Sequence, residues 1–127
     1  VFLGIIFWSL ISAIDVAKLD FSRYQIINSS KSVPDGYYRA EGFILNKSFF
    51  VYADFASDEP VNITLVELGE FEKFERNEEY FYIEAMHDIT LWEIENYPLE
   101  KGTYYIIITP VEGVVNYDLN VSVADLP

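Results

Sequence analysis

Residues 115–123, VNYDLNVSV, alternate without a break. Val115, Tyr117, Leu119, Val121 and Val123 fall on one side; Asn116, Asp118, Asn120 and Ser122 fall on the other. Successive side chains of a strand point to opposite faces, so a period of two over nine residues specifies a half-buried strand and rules out a helix. The preceding run GTYYIIIT (102–109) is apolar at nearly every position, as expected of a central strand covered on both faces. LEKG (99–102) is the turn that feeds it, with Gly102 free to take a backbone conformation costly for other residues.

Five further segments read as strands: GYYRAEGFIL (36–45) after a Pro-Asp-Gly turn, SFFVYADFA (48–56), VNITLVEL (61–68), YFYIEA (80–85) and ITLWEIE (89–95). Asp58-Glu59-Pro60 is expected to break the second of these. Residues 69–79, GEFEKFERNEE, are polar apart from Phe71 and Phe74, which suits one turn of helix or a wide loop pinned by two rings. INSSKSVPDG (27–36) reads as a linker or turn cluster, with Tyr24 and Ile26 as the start of an edge strand. The expectation is an all-β antiparallel β-sandwich, jelly-roll or Ig-like, of about seven to eight strands, preceded by an apolar N-terminal arm or helix. It divides the chain into an arm, anchor or signal remnant (1–19), a linker or edge strand (20–35) and a sandwich domain (36–127).

The stretch NYPLEKGTYYIIITPVEGVVNYDLNVSV resembles the closing half of the bacterial and archaeal pre-peptidase C-terminal domain family, and VNITLVELGEFEKFERNEEYFYI resembles the middle of such sandwiches. The resemblance covers roughly residues 36–124 and implies a secreted, non-catalytic β-sandwich of the kind appended to larger enzymes. The apolar N-terminal segment departs from that pattern. An apolar N-terminal segment followed by a glycosylated sandwich is instead similar in layout to archaeal pilins, although Asp15 ends the apolar run earlier than a pilin helix would.

That segment, VFLGIIFWSLISAI (1–14), carries no charge. Three readings are open: the hydrophobic region of a secretory signal peptide, a membrane or filament-core helix, and an extended arm that adds a strand to a neighbouring subunit. As a helix it spans about 21 Å, short of the ~20 residues that cross a bilayer. A strand needs fewer residues, which favours the arm. Its assembly residues are Val1, Phe2, Leu3, Ile5, Ile6, Phe7, Trp8, Leu10 and Ile11.

The net charge of −13 excludes nucleic acid, whose affinity comes largely from cationic contacts to phosphate, and disfavours an anionic membrane surface. The absence of cysteine removes disulfides, thiolate nucleophiles and Cys-type zinc sites. Four Asn-X-Ser/Thr sequons, at Asn28, Asn46, Asn62 and Asn120, exceed the roughly 0.7 expected by chance. Asn28 and Asn46 fall in expected turns, Asn62 and Asn120 on the polar faces of alternating strands. Solvent-facing sequons point to a glycoprotein outside the cytoplasm.

Nothing in the sequence marks a catalytic centre. His87 is the single histidine and reads as a surface turn residue, and no phosphate-cradling glycine loop is present. Glu67, Glu70, Glu72, Glu75, Glu78 and Glu79 read as a solvated face. A weak Ca²⁺ site at Asp54, Asp58 and Glu59 is the sharper reading of the acidic residues; no other cofactor is expected. The pairs Tyr37/Tyr38 and Tyr104/Tyr105 suggest a carbohydrate platform, but alternation places one ring of each pair in the core. The function expected is a non-catalytic structural subunit, extracellular or at the cell surface, that meets other copies of itself through the arm. The alternative is an accessory module that binds a carbohydrate or protein ligand.

Overall fold

The computed structural model describes residues 23–126. The apolar segment 1–14, with all nine assembly residues, lies outside the described residues. Six strands and one helix follow in the order β1 (Tyr24–Val33), β2 (Arg39–Leu45), β3 (Phe49–Glu67), α1 (Leu68–Glu75), β4 (Glu84–Leu99), β5 (Gly102–Pro110) and β6 (Val115–Asp125). All pairings are antiparallel, in one sheet of order β1-β6-β3-β5-β2, with β4 along the other edge of β3.

The architecture turns on β3. Its first half pairs with β6 (Phe49↔Asp125 to Ser57↔Tyr117), its second with β5 (Val61↔Pro110 to Glu67↔Tyr104). The partner changes at Asp58-Glu59-Pro60. The expected break there is therefore a corner: the strand continues, but its register to β4 shifts between Ala56 and Val61. Pro60 has no N–H to give a ladder, and its carbonyl accepts from Val111 N–H (3.1 Å). Bending at this corner lets the sheet curl until its first and last strands meet. Ser29 of β1 donates to Glu41 of β2 at 3.1 Å, although the two strands are at opposite ends of the sheet order.

One core fills the curl. Inward residues of all six strands form it, among them Val33, Phe43, Ile63, Trp92, Ile108 and Leu119. The alternating residues 115, 117, 119, 121 and 123 are all buried, as the pattern of β6 requires. β5 is apolar on both faces for a reason the strand pattern does not contain. Tyr104, Ile106 and Ile108 enter the main core, while Ile107 joins Val66 and Phe71 of α1 in a second cluster on the back of the sheet. Tyr105 stacks on Phe71 (4.2 Å between centroids) and covers Gly42, directly opposite on β2, where a Cβ would lie 2.6 Å from the ring. Gly102 takes φ +158°, a conformation side-chain-bearing residues rarely adopt.

Four expectations need correction. Residues 27–33 are strand, because β6 supplies a ladder and side-chain partners for the outward hydroxyls: Ser30 donates to Asp118 (2.5 Å) and Ser32 to Asn116. Residues 69–75 belong to an eight-residue helix, since Phe71 and Phe74 have an apolar sheet back to cover. The two strands expected at 80–85 and 89–95 are one strand beginning at Glu84; Asp88 and Asn96, at φ 57° and 51°, kink it and interrupt its alternation. Six strands stand where about seven to eight are expected. Among the described residues no helix is long and apolar enough to cross a membrane.

Candidate functional site

β1 and β2 are consecutive strands joined by residues 34–38, yet they form no ladder with each other. Side chains hold them together near the joining loop. Arg39 Nε donates to the Ser32 carbonyl (3.3 Å), and Lys31 Nζ lies 3.5 Å from Glu41 Oε1. Glu41 is the centre of this seam. It is only 7% exposed, and its carboxylate accepts from Ser29 on β1 and from the Tyr117 hydroxyl on β6 (2.5 Å). Burial, and then the hydrogen bond to Glu41, push the Tyr117 phenol well above its ordinary range. Sequence reasoning did not single out Glu41. The signal was present: alternation in RAEGFIL puts it on the inward side with Phe43 and Leu45, where a carboxylate needs partners.

Beyond the seam the two strands part. The gap is a largely apolar groove of about 310 Å³, lined by Tyr24 and Ile26 of β1, Ile44 and Leu45 of β2, Phe49 of β3, Val123 of β6 and the exposed Asn46 that follows β2. Leu45 and Val123 are core residues and form its floor; Ile44, 72% exposed, stands at its rim. The groove adjoins the point where the described chain begins. Arg23 sits there with its guanidinium 3.9 Å from the Tyr52 ring centre and a hydrogen bond to Ser122 Oγ (3.2 Å).

Asn28 and Asn46 are exposed, and Asn62 and Asn120 half-buried. Asn28 lies on β1 rather than in a turn, directly opposite Asn120 of β6. Asn62 accepts the Asp88 N–H through Oδ1 (2.9 Å). The acidic residues proposed as Ca²⁺ ligands serve separate purposes. Asp58 accepts the backbone N–H and side-chain amide of Asn116, both at 2.8 Å, which hold it below its ordinary range. Asp54 lies opposite Glu93 of β4; Glu95 and then Asp54 push Glu93 up by like-charge repulsion. Glu59 offers its carbonyl to Ser57 (2.8 Å). Among the described residues no group of three acidic or histidine side chains is placed to share a metal. His87 is exposed beside the kink at Asp88.

Tyr104 is buried and Tyr105 packs under α1, but Tyr37 and Tyr38 are both exposed, contrary to the expectation of one inward ring. They stand in the loop before β2, not in a strand whose alternation would turn one of them inward. Tyr38 packs edge-on against Phe74 of α1 (5.0 Å). Of the acidic face, Glu70 accepts from Phe81 N–H and Lys73, and Arg76 pairs with Glu78.

These features define a curled antiparallel all-β domain with an open apolar groove at one end. No family model and no curated protein matches the chain. Among solved structures it is similar to the crystal structure of the Yersinia pseudotuberculosis-derived mitogen, with a TM-score of 0.51 and 13% identity over 80% of this chain and 87% of that one. At that identity the likeness concerns the fold alone.

Proposed function

We propose that this chain is a non-catalytic structural subunit of an extracellular or cell-surface assembly, in which the apolar N-terminal segment of one copy docks on the next. The carrying observation is the set of strand edges left open. Among the described residues β1, β2 and β4 each pair with one neighbour only. An unpaired edge is a template for another strand, and the same chain carries fourteen uncharged residues suited to supply one. Buried in a contact, those residues cover several hundred Å² of apolar surface. At about 25 cal/mol per Å² that is on the order of 10 kcal/mol before the costs of association. Each subunit donates one arm and accepts one, so the contact propagates rather than closing into a dimer. In this reading the curled sheet is a jelly-roll-like sandwich, with β3 and β4 crossing both layers.

Electron microscopy of the full chain and of a chain lacking residues 1–14 tests the assembly. Fibres are expected from the full chain only, and Ile6→Asp should act like the deletion. Isolated particles from both proteins at high concentration would end this reading. The surface location rests on the four sequons. Intact-mass spectrometry of protein from its native source should show masses above that of the bare chain; a bare mass would remove the argument for glycosylation.

A second reading, an accessory module for a carbohydrate or protein ligand, is favoured by the exposed rings of Tyr37, Phe81 and Tyr82. It predicts that removal of residues 1–14 leaves the protein's state of association unchanged.

A further inference from the structure

We infer that the groove between β1 and β2 is the acceptor for residues 1–14 of a second copy of this chain. The inference rests on the assembly reading above and selects two of its three open edges, those of β1 and β2.

Three observations select it. The first is shape. Two consecutive strands that would ordinarily form a hairpin are held together by side chains at Ser29, Lys31 and Glu41 and leave a groove beyond them, so among the described residues a slot remains with one open strand edge on either side. A segment entering it in extended form would find backbone partners on both walls, which a single open edge such as β4 does not offer. The second is chemistry. The floor is the core itself, at Leu45 and Val123, and the walls present Tyr24, Ile26, Ile44 and Phe49, with the uncharged Asn46 exposed beside them. An occupant of that surface must be apolar and uncharged, because a charge buried there would have no partner. Residues 1–14 fit: they hold no charge, on a chain whose net charge is −13. The third is how the chain reaches the slot. It enters β1 at Arg23, whose side chain reaches across β6 to Ser122 and the Tyr52 ring of β3 rather than into the groove. To fill its own slot, the chain would have to reverse direction just before this point. Residues 12–22, SAIDVAKLDFS, contain neither Gly nor Pro, the strongest makers of tight reversals. Run outward instead, the eight residues 15–22 span about 26 Å and carry the apolar segment to another molecule.

The chain has no cysteine, so introduced thiols report the contact without interference. Full-length Ile6→Cys and full-length Ile44→Cys are mixed, oxidised and separated on a denaturing gel. A disulfide-linked heterodimer is expected, and the Ile6→Cys/Ile44→Cys double variant should give a ladder of linked multimers. A double variant linked only within single chains would overturn the proposal in favour of a segment that folds back on its own slot. A second arm uses charge. Ile44 and Leu91 are equally exposed, 72% each, the first on β2 at the slot and the second on the open strand β4. Being exposed, either accepts Asp with the core intact. Ile44→Asp should reduce fibre mass more than tenfold and Leu91→Asp should leave it unchanged. The reverse result would place the acceptor on β4, ending this proposal while the assembly reading stands. Absence of fibres and of intermolecular disulfides from every full-length variant, the native sequence included, would end both.

Discussion

Ile108→Ala should lower the unfolding free energy by about 2–5 kcal/mol, the range for truncating a fully buried isoleucine. Ile108 is wholly buried in the middle strand of the β3-β5-β2 half of the sheet, opposite Ile63 on one side and Arg39 on the other. The loss combines the transfer free energy of the missing carbons with the cavity they leave, and ladders on both edges of β5 hinder collapse of the cavity. Ile108→Val should cost about 0.5–1.5 kcal/mol. Ile44→Ala, at the exposed rim of the groove, should change stability by less than about 0.5 kcal/mol. Urea denaturation of the three variants checks the order. An Ile108→Ala midpoint equal to that of Ile44→Ala would mean that the inward face of β5 is not packed as described.

The same strand shows how far a sequence pattern reaches. In VNYDLNVSV the apolar letters 115, 117, 119, 121 and 123 are all buried against the core, while the polar face runs from exposed Asn116 and Asp118 to half-buried Asn120 and buried Ser122. In TYYIII the letters say only that both faces are covered. They cannot say by what, and the cover on the back is α1, whose apolar content is little more than Phe71 and Phe74. β1 was harder still. Its Ser and Asn residues look like a turn because their partners, Asp118 and Asn116, are more than eighty residues away. β4 lost its period at Asp88 and Asn96, where left-handed backbone inserts a kink. These are tertiary effects, and local propensity has no access to them.

The groove belongs to that last group. None of its lining residues is unusual in its own strand: Tyr24, Ile26, Leu45 and Phe49 each read as ordinary β residues. The site exists because β1 and β2 are placed at opposite ends of the sheet order and meet only where the curl brings them together. What the sequence did carry was an uncharged segment, residues 1–14, and the docking proposal above pairs that segment with this slot.

The seam that sets the width of this slot should respond sharply to loss of Glu41. Glu41→Leu fills similar volume but leaves the Tyr117 hydroxyl buried without its acceptor, at a cost of about 2–4 kcal/mol. Tyr117→Phe removes one of the donors to a carboxylate that is itself buried, and should cost a similar amount. Combining the two removes both polar groups. The double variant should then be more stable than the sum of the single losses predicts, by at least about 1 kcal/mol, because two apolar groups leave no unmet hydrogen bond between these positions. Simple additivity in a double-mutant cycle would show that the pair does not act as a unit. Alkaline titration gives an independent reading. The folded protein holds the Tyr117 proton above the ordinary tyrosine range, whereas the unfolded chain releases it near pH 10. The stability this group contributes is therefore complete below about pH 10 and declines as pH rises beyond it, by up to about 1.4 kcal/mol per pH unit. Tyr104 is raised too, chiefly by burial, so both proteins should lose stability there; the native sequence should lose it more steeply than Tyr117→Phe. Equal slopes would mean that burial and Glu41 together do not hold the proton on this phenol in the folded chain.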